Sequence, residues 1–196
     1  MKQALATTAA ALSMTANAIG GTAWDVDNVH SSVKFSVRHL VISEVEGAFK
    51  LYSGTVQSSS ADFAEASVEF SVDVNSLSTD NEMRDNHLKS DDFFNAEKFP
   101  RMTFKSTSWK KIDDQNFVVE GNLTIRNVTR KVAFQVVYGG TMKDPYGNVK
   151  AGFKATAKIN RFDYDLKWNV LTEAGGATVG RDVEIVVKLE LAQKQS

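Results

Sequence analysis

Ser32-Val33-Lys34-Phe35-Ser36-Val37-Arg38-His39 reads as a strand with two unlike faces. Side chains alternate between the sides of a β-strand, so Val33, Phe35 and Val37 share one face and Lys34, Ser36 and Arg38 the other. The same period of two returns along the chain. Phe49 and Leu51 follow, then Val68, Phe70, Val72 and Val74, which makes three strands before residue 76. Five more carry Met102 and Phe104; Phe117 and Val119, running on to Leu123 and Ile125; Val132, Phe134, Val136 and Tyr138; Ala151, Phe153, Ala155, Ala157 and Ile159; and Val183, Ile185, Val187, Leu189 and Leu191. Polar, turn-rich joints at 112–116 and 140–148 predict antiparallel hairpins between neighbours. Within 79–95, Thr79-Asp80-Asn81-Glu82 has the form of a capping box, and Met83 and His87 lie four residues apart. That pattern predicts one short helix between strands 3 and 4. The fold class is all-β, an eight-stranded antiparallel barrel.

A chain of 196 residues fits one such domain. With 23 Lys and Arg against 24 Asp and Glu, it has no broad positive field for nucleic acid. No run of about 18 apolar residues supplies an integral membrane segment. The absence of cysteine excludes disulfides, thiolate metal ligands and a cysteine nucleophile. The opening residues 1–18 carry Lys2, a stretch of small and apolar residues, and Ala16-Asn17-Ala18, a small-x-small signal peptidase pattern. Gly21-Thr22-Ala23 offers a second cleavage point. The expectation is a signal peptide over 1–18, cut as late as 23, ahead of a single barrel domain over 24–192. A periplasmic or secreted location follows.

Eight strands enclose an interior that side chains just fill or that just admits a small ligand. Ala151, Ala155 and Ala157 share a face with Phe153, and Gly47 and Gly121 lie within or beside strands. Such small residues need bulky facing partners or a guest, since interiors pack densely. Lys and Arg fall on the opposite parity, so the lumen suits an elongated apolar ligand. Its expected lining is Val33, Phe35, Val37, Phe49, Leu51, Phe70, Phe104, Leu123, Phe134, Phe153 and Ile159, with His39 at a rim. The irregular stretch Arg161 to Gly180 adds Phe162 and Trp168 as ligand contacts. Gly175 and Gly176 favour this loop over the helix as a lid, because glycine permits wide backbone excursions.

Catalytic patterns are missing: no nucleophile elbow accompanies a Ser-His-Asp set, and Gly139-Gly140 and Gly175-Gly176 lack the Lys-Ser/Thr of a phosphate loop. The expectation is a binding protein, not an enzyme, that holds a lipid but no cofactor. Of the three histidines, His30 and His39 fall on opposite faces, which argues against a zinc site. Arg84, Asp85 and His87 read as a polar helix surface. Trp24, Trp109 and Trp168 leave open a carbohydrate-binding or adhesive module with a stacking platform.

The chain resembles the YceI-like, lipocalin-like proteins of bacteria from about Trp24 to Leu191. The resemblance is carried by residues 30–40, Gly47-Ala48-Phe49, Arg84-Asp85-Asn86-His87-Leu88 with 89–94, Phe99-Pro100-Arg101-Met102-Thr103-Phe104, 121–125 with 128–130, Asp144-Pro145-Tyr146-Gly147, and Ile159-Asn160-Arg161-Phe162-Asp163-Tyr164. It implies an antiparallel barrel holding an isoprenoid-type lipid such as a polyprenyl or quinone chain, a periplasmic or secreted location, and a homodimer as a common state. Fatty acids or fatty amides are the alternative cargo. The resemblance supplies no catalytic residue.

The leader predicts a mature chain starting near Ile19 or Trp24 and found outside the cytoplasm. Mass spectrometry of the native protein after cell fractionation checks this; an intact Met1 in the cytosolic fraction overturns it.

Overall fold

The structure, a computed structural model, describes residues 21–171 and 178–194. Its strand segments are β1 (Thr22–Val26), β2 (Ser32–His39), β3 (Ser43–Phe49), β4 (Tyr52–Ser58), β5 (Ala66–Asp73), β6 (Leu77–Ser78), β7 (Arg101–Lys111), β8 (Asn116–Ile125), β9 (Val128–Lys143), β10 (Val149–Asn160) and β11 (Val179–Gln193). One α-helix, α1 (Glu82–Lys89), lies between β6 and β7. Six of these segments are halves of three interrupted strands. β1 and β2 lie end to end along one edge of β11, with Trp24 opposite Gln193 and Ser32 opposite Lys188. β4 and β3 continue the sheet beside them, followed by β5 and β6. The result is eight antiparallel strands, closed into a barrel where β11 meets β1 and β2. The expected strand count, pairing and helix position all hold. The joint expected at 140–148 is shorter, because β9 runs on to Lys143 and only 144–148 turn.

The interruptions invert side-chain parity. In β3, Gly47 and Phe49 face inward, but in β4 the inward positions are Gly54 and Val56, because Lys50 and Leu51 step out of the ladder. Leu51, expected in the lumen, is therefore 62% exposed. A uniform period of two cannot survive one extra residue. The breaks are hydrogen-bonded instead of frayed. Ser76 Oγ accepts from the amides of Lys50 (3.1 Å) and Leu51 (2.9 Å) and donates to the Asp73 carbonyl at 2.6 Å.

The β1–β2 break is held by charge as well. The Glu190 amide donates to Ser31 Oγ, and the Asp27 amide donates to the Glu190 carbonyl. Lys150 Nζ on β10 reaches Asp27 at 2.6 Å and Glu190 at 3.2 Å, and all three carboxylate and ammonium groups are largely shielded from solvent. The Lys150 ammonium holds the Asp27 carboxyl far below the usual carboxylate range, aided by His30 and the Val29 amide.

Helix α1 starts two residues later than the capping box at Thr79 implies. Asn81, in extended conformation, accepts from the Arg84 amide, so Glu82 begins the helix. Asn is as good a cap as Ser and better than Thr, which leaves Thr79 free for other bonds. Its amide and hydroxyl donate to the buried Asp85 carboxylate, and Arg84 donates to its Oγ1 and carbonyl. Arg84 and Asp85 thus tie the helix to the end of β6; Arg84 lies on the exposed polar face as expected, whereas Asp85 is buried beneath it.

Asp27→Asn is expected to lower stability at pH 7 by roughly 1–3 kcal/mol, the usual worth of hydrogen bonds to charged groups. Because the folded-state pKa is depressed, the contribution is complete above pH about 4 and is lost as pH falls further. Urea unfolding at pH 7 and pH 3 checks this; a gap between wild type and variant that does not narrow in acid overturns it.

Candidate functional site

Inward residues from all eight strands enclose two apolar voids along the barrel. The larger, about 150 Å³, lies at the α1 end and is lined by Phe35, Phe49, Phe70, Val72, Met102, Phe104, Leu123, Ile125, Ile159, Ile185 and their neighbours. The smaller, about 90 Å³, is lined by Val56, Val68, Trp109, Val119, Val136, Phe153, Ala155, Leu189 and Leu191 among others. Phe70, Phe104, Phe134 and Val187 belong to both and form a waist. Phe104 and Phe134 meet there edge to face, with centroids 5.0 Å apart.

The two glycines that hinted at a hollow interior, Gly47 and Gly121, are covered by rings, and so is Gly54. A Cβ on Gly47 would sit 2.4 Å from the Phe35 ring, one on Gly54 2.4 Å from Phe70, and one on Gly121 2.4 Å from Phe104. Phe35 and Phe70 are the direct cross-strand partners of Gly47 and Gly54. A ring laid over a cross-strand glycine lies against the wall, a pairing that stabilises sheets. With these rings against the wall, space remains on either side of the waist, not through it.

Of the residues expected to contact a ligand, Val33, Phe35, Val37, Phe49, Phe70, Phe104, Leu123, Phe134 and Ile159 line the larger void and Phe153 the smaller. Four others do not line either. Leu51 is outside for the parity reason given. His39 pairs with Val179 at the end of β2, beyond the void. Phe162 turns onto Arg161, whose guanidinium carbon is 4.5 Å from its ring centroid. Trp168 packs outside the lining, tilted against Phe93 (5.2 Å) and edge to face with His87 (4.9 Å).

The lining expected from the sequence leaves out Leu88, Phe93 and Phe94, which line the larger void, and Phe63, which is fully buried at the opposite end. Phe63 packs on Trp24, Tyr138 and Phe153 with centroids 5.0–5.6 Å apart. Phe63, Phe93 and Phe94 lie in irregular segments where no periodicity marks them, and Leu88 lies in the last turn of α1. Val72, Ile125, Val183, Ile185 and Val187 share the parity of predicted neighbours and were within reach of the same argument.

Both ends of the tube are therefore covered. At the α1 end the cover is Leu88, Phe93, Phe94 and Leu166, backed by Trp168. His87 Nε2 lies 2.9 Å from Asp92 and braces the turn after α1. The loop expected to be a lid is anchored over its described part: Arg161 donates to the carbonyls of Leu166 and Trp168. Gly175 and Gly176 lie outside the described residues.

Among the described residues one group, Asp27, His30 and Glu190, has the spacing of metal ligands. Lys150 already occupies the position between its two carboxylates. The three tryptophans form no shared surface. Trp24 is buried against Phe63, Trp109 lines the smaller void and Trp168 backs the helix.

Comparison with known proteins bears on this geometry. The model of the YceI-like domain family matches residues 24–191. A UPF0312 protein of Staphylococcus aureus strain N315 is 36% identical over 172 residues, which cover 87% of this chain and 98% of that protein. The crystal structure of the Campylobacter jejuni YCEI protein is similar with a TM-score of 0.69 at 33% identity, covering 81% of this chain and 90% of that one. A polyisoprenoid binding domain from Saccharophagus degradans shares the fold at 16% identity, with a TM-score of 0.62 over 87% of this chain and 98% of that one.

Because Trp168 backs Phe93 and is itself half-buried, Trp168→Ala is expected to cost about 2 kcal/mol, less than a fully buried tryptophan. It should also speed exchange of a bound apolar probe by loosening the α1 cover. Urea unfolding and stopped-flow displacement check the two effects; unchanged exchange with a larger stability loss would confine Trp168 to packing.

Proposed function

The chain belongs to the YceI-like family, and from that premise we propose that it binds and carries a slender apolar chain of isoprenoid type within its barrel. The observation that carries the reading is the lining itself, aliphatic and aromatic from Leu88 and Phe94 at one end to Trp109 and Leu191 at the other. Such a wall offers dispersion and burial to a hydrocarbon and almost nothing to a sugar or nucleotide. The fold relative from Saccharophagus degradans, a polyisoprenoid binding domain, supports the same class of ligand.

A void of 150 Å³ is the size that takes a single six-carbon ring. A chain of several isoprene units must therefore thread both voids, with the waist rings of Phe104 and Phe134 turning aside and the cover of Phe93 and Phe94 yielding. Binding without chemistry is the corresponding role, in an exported protein that shields its cargo from water. A carbohydrate module is the weaker reading, since Trp24 is buried and Trp109 faces the lumen.

Solvent extraction of protein purified from its native host, followed by mass spectrometry, is expected to release a polyprenyl or quinone-type lipid in near-stoichiometric amount. A fatty acid or amide would reassign the cargo. No lipid, together with failure to take up polyprenols, overturns the carrier reading.

A further inference from the structure

We infer that the barrel takes up and releases its cargo at the α1 end, where residues 90–95 swing as a door, and that Arg126 is the positioning residue that holds the door shut. The inference rests on the carrier reading above and adds where exchange occurs and what sets its rate. The two ends of the tube are closed in different ways. At the far end Phe63 is fully buried against three other rings, so opening there would break ring-to-ring packing. At the α1 end Leu88, Phe93, Phe94 and Leu166 border the void of about 150 Å³. A side chain that borders a void lacks partner atoms on that side, and so gives up less dispersion when it moves.

The turn after α1 bonds to itself and to the helix. The Phe93 and Asn95 amides donate to the Ser90 carbonyl, the Phe94 amide to that of Leu88 and the Ala96 amide to that of Lys89. Such a segment can move as a unit between two tethers, the Thr79–Asp85 bonds before it and the Val74 amide on the Pro100 carbonyl after it. Arg126, in the turn between β8 and β9, clasps it from the barrel wall. Nη1 is shared among the carbonyls of Asp91 (2.9 Å), Phe93 (2.7 Å) and Asp165 (3.3 Å), and Nη2 donates to the Asp91 carboxylate at 3.1 Å. Phe93 and Leu166, the residue after Asp165, both line the void. One guanidinium therefore joins the turn after α1, the segment after β10 and the wall.

The turn that carries Arg126 does not call for an arginine. Arg126 and Asn127 both adopt left-handed backbone, with φ of 50° and 63°. Asparagine and glycine tolerate that conformation best and are the usual residues of such hairpin turns. An arginine at the first position works against the turn and in favour of the bonds its side chain makes. That side chain is 14% exposed whereas Asp91 is 80% exposed, so the shielded bonds to carbonyls hold more firmly than the ion pair. A group that bonds the cover alike in the empty and the loaded barrel has no preference between those states and leaves affinity unchanged. It sets how often the door stands open, so uptake and release rise together when it is removed.

The test is Arg126→Asn, which suits the left-handed turn and removes the clasp. Stopped-flow uptake of the neutral probe N-phenyl-1-naphthylamine by the full protein gives the on-rate, and displacement of the probe by excess dodecanol gives the off-rate. Both are expected to rise about tenfold or more while the Kd stays within about threefold, because one hydrogen bond to a charged group shifts an opening equilibrium by about tenfold. Arg126→Lys should fall between. In hydrogen–deuterium exchange of the wild type, residues 90–99 should open before residues 58–66, and Arg126→Asn should speed the first segment and leave the second unchanged. Unchanged rates, or a Kd that rises at a constant on-rate, overturn the inference and leave the carrier reading standing. Opening of 58–66 ahead of 90–99 does the same. The deuterium comparison uses the unmodified protein, so an Arg126→Asn chain that does not fold leaves the question decidable. A wild type that takes up no probe overturns the carrier reading, and the inference with it.

Discussion

The hydrogen bonds of β11 decide whether this chain is a barrel or an open sheet. One edge of β11 is paired along its length with β10, from Lys150–Ala192 to Asn160–Asp182. The other edge is shared, first by β1 at Leu191–Gln193 and then by β2 from Lys188 back to Val179. Closure of this kind removes the unpaired edges through which sheets aggregate, and it fixes the diameter of an eight-stranded tube. Sharing one edge between two segments requires an interruption, at 27–31. The neighbouring strands break at 50–51 and 74–76, so the parity changes there in step with it. Each half of the barrel can then point its own apolar set inward. Ser31, Ser76 and the Asp27–Lys150–Glu190 cluster satisfy the backbone that the breaks would otherwise strand.

The tube so closed is not filled. Its rings are drawn to the wall at Gly47, Gly54 and Gly121, and the space this leaves runs from the Phe63 plug to the cover formed after α1. The two ends differ in chemistry. Phe63, Trp24, Tyr138 and Phe153 make an aromatic end, with the Trp24 and Trp109 indole N–H groups lacking partners among the described residues. At the other end Arg161 organises the chain by gathering carbonyls from 166, 168, 179 and 180. A ligand in the lumen would thus meet a hydrocarbon wall along its length.

Strand number, pairing order and the position of α1 were legible because alternation is a direct image of a two-faced sheet, and the lumen list followed wherever alternation ran unbroken. Val33, Phe35, Leu123 and Phe134 are cases of this kind. Leu51 fails because a two-residue break changes the face without changing the composition. The inward direction of Phe63, Phe93 and Phe94 was not legible for a different reason: they sit in irregular segments, where side-chain direction depends on backbone geometry that no period encodes. Arg161 was legible only as part of a family segment. Its burial follows from the 3₁₀ turn after β10 and from carbonyls that converge on it from residues up to 19 positions away.

The ring-over-glycine pairs place control of the lumen's calibre in an unexpected position. A glycine beneath a ring never has to touch the cargo, yet a single methyl on Gly54 or Gly121 would lift Phe70 or Phe104 off the wall and toward the axis. The bore of the tube is thus written on the strand beside each aromatic residue, not in the aromatic residue itself. Relatives that carry the same phenylalanines can differ in what fits between them, and a comparison of ligand width across such barrels has to be made at the residue across the ladder.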